Sequence, residues 1–244
     1  MKKMVWLIAA LLMMGSNTFA QEMHQDIREV IKKQPMGKKM PTRFQAVSSD
    51  KATILQEGDA KMFCPKCGMT LPMFYKTNHA AHVEGKIEQF CSIHCLADRM
   101  SDGVKMTNIQ VVDNTTLKFI DILNAWYVMG SSKAGTMSMS SKYAFGKKSD
   151  AQNFANEFGG KVMTYYAVLE SVKGTLEEEK NMVKRKQAMV AQKGEMMYEN
   201  LCIPFDKSFN TIVDAKTYLI TQKPCAKLNE KQLQAIAIYL NLRN

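Results

Sequence analysis

Beyond residue 20 this sequence has no apolar run long enough to cross a bilayer. It has no phosphate-binding glycine loop, no nucleophile elbow and no HExxH, which leaves the common nucleotide, hydrolase and zinc-protease chemistries without residues to carry them. No histidine occurs after His94 and no CxxCH occurs, so covalent haem is excluded. The basic residues are scattered and come with no nucleic-acid fold signature, which argues against a nucleic-acid partner. What the chain does have in excess is sulfur: 20 methionines and six cysteines in 244 residues. Apolar and charged fractions of 46% and 23% are ordinary for a globular protein.

The N-terminus reads as an export signal over residues 1–20. Lys2-Lys3 form a positive start, Val5–Met14 an apolar core, and Thr18-Phe19-Ala20 a small-residue cleavage site. No cysteine follows the apolar core to take a lipid. A soluble periplasmic protein is therefore expected. Losing Lys2 and Lys3 brings the formal charge from +10 to +8, a balance that suits a solvated surface or peripheral contact with an anionic membrane.

Export alone would make six cysteines a disulfide framework. Their spacing says otherwise for four. Cys64 and Cys67 form a CxxC, Cys91 and Cys95 a Cx3C, and two such pairs bring four thiolates to one point. Cys91 falls where a strand, 83–90, enters a helix expected over 92–100, and thiolates are favoured at a helix N-terminus. On ligand count zinc suits four cysteines as well as copper does. Thioethers tilt the choice to copper(I), because they are soft ligands that zinc rarely recruits. Met69 lies two residues past Cys67, with Met62 and Met73 near, and Met137-Ser138-Met139 makes a second cluster. Met129, Met163, Met182 and Met189 read as core filling. His94 either joins the site or points away from it, and His79 and His82 read as surface residues. A thiol–disulfide oxidoreductase is the competing reading of CPKC. It is disfavoured because Gly68, Thr70 and Pro72 oppose the helix such a motif opens.

Along the chain, residues 21–61 form a basic arm with a short helix around Ile27–Lys33. Residues 62–172 follow the order strand, strand, helix, strand twice. The first copy has strands near Phe74–Tyr75 and 87–90, a helix at 92–100 and a strand at 109–112. The second has strands at 126–129 and 143–145 and a helix from Ser149, where Ser149 and Gln152 fit a capping box. Residues 175–244 read as a separate helical module, with one capping box at Thr175/Glu178 and another at Asn229/Gln232. Cys202 and Cys225 are candidates for a disulfide within it. The class is α+β: two similar ββαβ units in tandem, then a small all-helical module.

Cys-Pro-x-Cys-Gly-Met from Cys64, Ala-Trp-Tyr-Val from Ala125, Gly-Thr-Met from Gly135, Tyr-Ala-Phe-Gly from Tyr143 and Phe-Gly-Gly from Phe158 occur in that order. Together they resemble the NosL family. The resemblance implies two ββαβ units and a copper(I)-binding, non-enzymatic accessory role in nitrous oxide reductase maturation, hence in denitrification. It implies that Cys64, Cys67, Met69 and Met137 serve the metal, and that the partner is a copper-receiving protein, either the reductase or its assembly machinery. The FCSIHC segment resembles the Cx3C half of TRASH-type modules and leaves the coordination number open. Residues from Gly194 onward resemble a small class I cytochrome c without its haem motif. The expected mechanism is ligand exchange at an exposed site whose thioether leaves readily.

Overall fold

A computed structural model describes residues 43–243. The expected signal segment and the helix around Ile27–Lys33 lie outside them. Strand β1 (His79–Val83) turns into β2 (Lys86–Phe90) through Glu84 and Gly85, both at positive φ, the geometry that matches the twist of a two-residue hairpin. Helix α1 (Ile93–Ser101) and β3 (Met106–Val112) complete the first unit. A short β4 (Phe119–Asp121) extends the sheet, whose order is β2-β1-β3-β4 and wholly antiparallel. The second unit runs β5 (Trp126–Met129), β6 (Lys142–Phe145), α2 (Lys148–Phe158), β7 (Lys161–Thr164), with sheet order β6-β5-β7. In both, the first strand is central and flanked by the second and third. The fold is α+β, with the ββαβ plan occurring twice.

Three local expectations fail. Phe74 and Tyr75 lie in a 3₁₀ helix, Leu71–Thr77, not a strand. Pro72 sits in its first turn, where a missing N–H costs nothing, and both rings are buried. Helix α2 starts at Lys148 with no side-chain cap, and the Ser149 hydroxyl turns to Asp150 instead. Thr175 does not begin a helix. Helix α3 runs unbroken over Tyr165–Leu201, 37 residues, and the Thr175 hydroxyl donates back to the Ser171 carbonyl. The reason is a continuous stripe: Val168, Leu169, Val172 and Leu176 are buried at helical spacing against the sheet core. Further along, Val190, Ala191, Met197 and Tyr198 pack into a second core. One helix thus belongs to both cores.

That second core is closed by α4 (Ile212–Gln222) and α5 (Glu230–Leu242). Asn229 and Gln232 cap α5 reciprocally, and Leu233, Ile236, Ala237 and Leu240 form its buried face. A 2.02 Å bond joins Cys202 to Cys225. Where α3 meets α5, Gly194 leaves no room: a Cβ there would lie 2.1 Å from the Ala235 carbonyl oxygen. Gly194→Ala is expected to destabilise the chain by about 1–3 kcal/mol, although alanine is the better helix former. An unchanged urea midpoint would contradict this packing.

Candidate metal centre

The CxxC is carried by a tight turn. The Cys64 amide donates to the Met69 carbonyl (2.9 Å) and the Gly68 amide to the Cys64 carbonyl (2.8 Å), while Gly68 takes a φ of +69°. Glycine meets that left-handed requirement without strain. The turn is not the helix start a thioredoxin-type dithiol needs. Cys91 directly follows β2. Ser92 then caps α1, its hydroxyl accepting from the Cys95 amide at 3.4 Å, and Cys95 sits in the first turn.

The four sulfurs lie within 4.8 Å of one another. Cys67 Sγ is 3.5 Å and Cys95 Sγ 3.6 Å from Cys91 Sγ, and all four thiols are free. Sulfurs placed tetrahedrally about 2.3 Å from a metal would stand about 3.8 Å apart, so the cage is sized for one ion. The expectation of an exposed site is corrected, because exposures are 0% for Cys64, 4% for Cys67, 0% for Cys91 and 1% for Cys95. The turn and the capped helix start fold the two pairs against each other inside the sheet core.

Protons in this cage are shared unequally. Burial pushes the Cys64 thiol up, but hydrogen bonds from Cys67, Cys91 and Cys95 outweigh it and hold it well below the usual thiol range. Cys91 and Cys95 are pushed well above that range, chiefly by their hydrogen bonds to Cys64 and Cys67. Like charges this close cannot all ionise. A bound metal requires thiolates. Loading at neutral pH is therefore expected to release at least two protons, one each from Cys91 and Cys95. Titration of acid release in weak buffer measures this, and release of fewer than two would show that one of them stays protonated outside the complex.

Met69 and Met137 are half-buried and line, with Cys67 and Met182, a cleft of about 260 Å³. Cys67 is the one cage cysteine among its lining residues. Met73 lines a neighbouring apolar groove, Met62 packs on the second core, and Met139 is 80% exposed. Among the four methionines expected as core filling, Met129 is half-buried at the end of β5, Met163 packs against the first core, Met182 lines the cleft and Met189 is exposed. Between Leu176 and Gly194 helix α3 buries no residue, so Met182 and Met189 have no core to fill there.

His94 is buried and outside the sulfur cage. Its Nδ1 lies 2.7 Å from Glu179 on α3, and Lys142 Nζ lies 3.4 Å from the same carboxylate. Burial raises the Glu179 pKa, but these partners outweigh it and the net shift is downward. His82 is exposed. His79 is not a surface residue: it is 1% exposed, Nε2 meets the Tyr127 hydroxyl at 2.9 Å, and burial holds its pKa at about 4. Its place on a central strand, facing the second unit, explains the burial.

Sequence reasoning missed Lys216. This α4 side chain is fully buried, and its Nζ has no hydrogen-bond partner among the described residues. It stands 4.5 Å from the ring centre of Phe63, beside Cys64. Burial pushes its pKa down to about 8, against the pull of Glu230 and Cys67. The available signal was its position four residues after Ile212, on the helix's apolar face. The same helices touch the CxxC turn elsewhere. Thr70 donates to Glu230 (2.6 Å), Gln234 donates to the Cys67 carbonyl (3.5 Å), and a Cβ on Gly68 would meet Ile212 at 2.5 Å.

Residues 56–172 match the NosL family model. Among solved structures the chain is similar to the copper chaperone NosL from Shewanella denitrificans. Identity is 23%, over 51% of this chain and 94% of that one, at a TM-score of 0.37. Among curated proteins none matches. Helices α4 and α5 lie outside the family match.

Proposed function

We propose, from the premise that residues 56–172 form a NosL domain, that this chain is a copper(I) carrier which hands its cargo to a copper-receiving protein. The observation that carries the reading is the four-cysteine cage with one wall, Cys67, on a cleft lined by Met69 and Met137. Four thiolates hold a soft ion tightly, and thioethers bind copper(I) yet leave readily. Exchange starts at Cys67. As that thiolate lets go and regains a proton, a thioether takes its place, and a ligand of the acceptor then displaces the thioether. Cys64, Cys91 and Cys95 lie behind Cys67 and suppress loss to solvent.

The acceptor we propose is nitrous oxide reductase or its assembly machinery, in the periplasm, as the NosL resemblance implies. Exposed Lys184, Arg185, Lys186 and Lys193 make this stretch of α3 basic, which suits peripheral contact with an anionic membrane. Among the described residues no helix is long and apolar enough to cross one.

The burial and tetrahedral spacing of the cage favour a second reading, a structural zinc centre holding an interaction module together. The two differ in what removal of the metal does. A carrier loaded with copper(I) passes it to an apo-acceptor while its circular dichroism stays unchanged, whereas a structural centre loses its fold with its metal. Retention of copper(I) against every acceptor, with unfolding on chelation, would overturn the carrier reading.

A further inference from the structure

We propose that Met182, on the part of α3 beyond the NosL domain, joins Met69 and Met137 in a second copper(I) site made of thioethers, at the mouth of the cysteine cage. The inference rests on the carrier reading and extends it to a transit position that the NosL domain alone does not complete.

The three methionines come from three elements and line one cleft. Met69 follows the CxxC turn, Met137 lies in the loop between β5 and β6, and Met182 stands on α3. The donor chemistry of the cleft is selective. Its lining is Cys67, the three methionines, one serine hydroxyl, two glutamine side chains, a lysine and apolar groups, with no carboxylate or imidazole. A hard divalent ion finds no charged oxygen there and zinc finds no imidazole, while a soft monovalent ion finds sulfur.

The methionines are also held in place. Met137 has a φ of +61°, a conformation a non-glycine residue keeps only when its surroundings impose it. Those surroundings are visible. Gln45 and Tyr143 both donate to the Ala134 carbonyl (2.8 and 2.7 Å), Thr77 meets Thr136 at 2.9 Å, and Lys142 donates to Ser138 at 2.9 Å. At Gly135 a Cβ would lie 2.4 Å from the Ser138 carbonyl oxygen, so the loop closes tightly on itself. Met182 follows Glu179 by about one turn of α3, on the same side of the helix. That carboxylate is held by His94 of α1 and Lys142 of β6, which ties this stretch of α3 to both elements.

Copper(I) passes between the two sites with no change of oxidation state. Each step exchanges one copper–sulfur bond for another, and the only proton moved is the one Cys67 regains when its thiolate is released.

Anaerobic titration of the mature chain with copper(I), its methionine methyls labelled with ¹³C, tests the proposal. The first equivalent raises the ultraviolet thiolate–copper band. The second is expected to shift the methyl signals of Met69, Met137 and Met182 together with no further rise in that band. Met182→Leu is expected to weaken the second step at least about tenfold, as loss of one of three soft ligands should, while the first step stays unchanged. Met189→Leu, at a position 59% exposed and outside the cleft lining, serves as the control and leaves both steps as they are. Methyl signals that do not move, or a second step indifferent to Met182→Leu, would overturn the thioether site and leave the carrier reading standing. A missing first step would instead overturn the carrier reading, and the methyl shifts would still report on the cleft.

Discussion

Replacing Cys64 and Cys67 together by serine is expected to lower copper(I) affinity by about four orders of magnitude. Structural zinc centres of small domains bind their metal with about 10–16 kcal/mol, a scale that serves for a soft ion held by four thiolates. Shared over four ligands, that is about 3 kcal/mol per thiolate, or about a hundredfold each. A serine hydroxyl stays protonated at neutral pH and is a hard donor, so neither position recovers the loss. The cage offers no substitute ligand: His94 is engaged by Glu179 and its nitrogens lie outside the sulfur cluster. Competition against a copper(I) chelator measures the effect. An affinity unchanged in the double variant would show that copper binds elsewhere.

Lys216→Met is expected to push stability and metal affinity in opposite directions. The buried ammonium has its pKa lowered from 10.5 to about 8. Between those values the unfolded chain carries a proton that the folded chain does not, so stability rises with pH through this window. Below pH 8 both states are protonated and the full cost of burial, about 3 kcal/mol, is present. Methionine fits a long apolar slot without that charge. The empty variant should therefore be more stable at pH 7 by roughly 2–3 kcal/mol, and its difference from the parent should vanish as pH approaches 10.5. The loaded chain should respond the other way, because removing a positive charge near Cys67 weakens its attraction for the thiolate complex. Urea unfolding at pH 7 and pH 10, paired with a metal titration, separates the two effects. Equal destabilisation at both pH values would mean that Lys216 acts through packing alone.

Most of the duplicated ββαβ plan was legible because Gly-containing turns punctuate it, as Glu84-Gly85 and Gly159-Gly160 do, but the first strand was not: β1 lies at His79–Val83 and not at Phe74–Tyr75, its two histidines giving it a polar look. The reciprocal cap of α5 was legible because both of its bonds are local, the Asn229 side chain accepting from the Gln232 amide and the Gln232 side chain from the Asn229 amide. Thr175/Glu178 has the same pattern and caps nothing, since the apolar stripe from Val168 to Leu176 carries the helix straight through it. Tertiary burial overrode a local signal. The cysteine spacing pointed to one cluster but was silent about depth: whether a CxxC turn lies open or buried depends on what packs over it, here α4 and α5 of the distant C-terminal part. His79 and Lys216 were misread or missed for a similar reason. Polar side chains on an apolar face look solvated until the partner, Tyr127 for one and the Phe63 ring for the other, is brought up by the fold. Met182 gave no signal of its own, because the other residues of its cleft come from Cys67, Met69 and Met137, distant in sequence.

The most direct test of a copper(I) carrier is competition. The chain, purified without oxygen, is offered equimolar copper(I) and zinc, and the retained metal and the alkylation of each cysteine are measured. Copper(I) is expected to be held by the cage, with Cys64, Cys67, Cys91 and Cys95 protected and Cys202–Cys225 still bonded. Zinc retained against copper(I), with the same four cysteines protected, would contradict it and make the cage a structural centre.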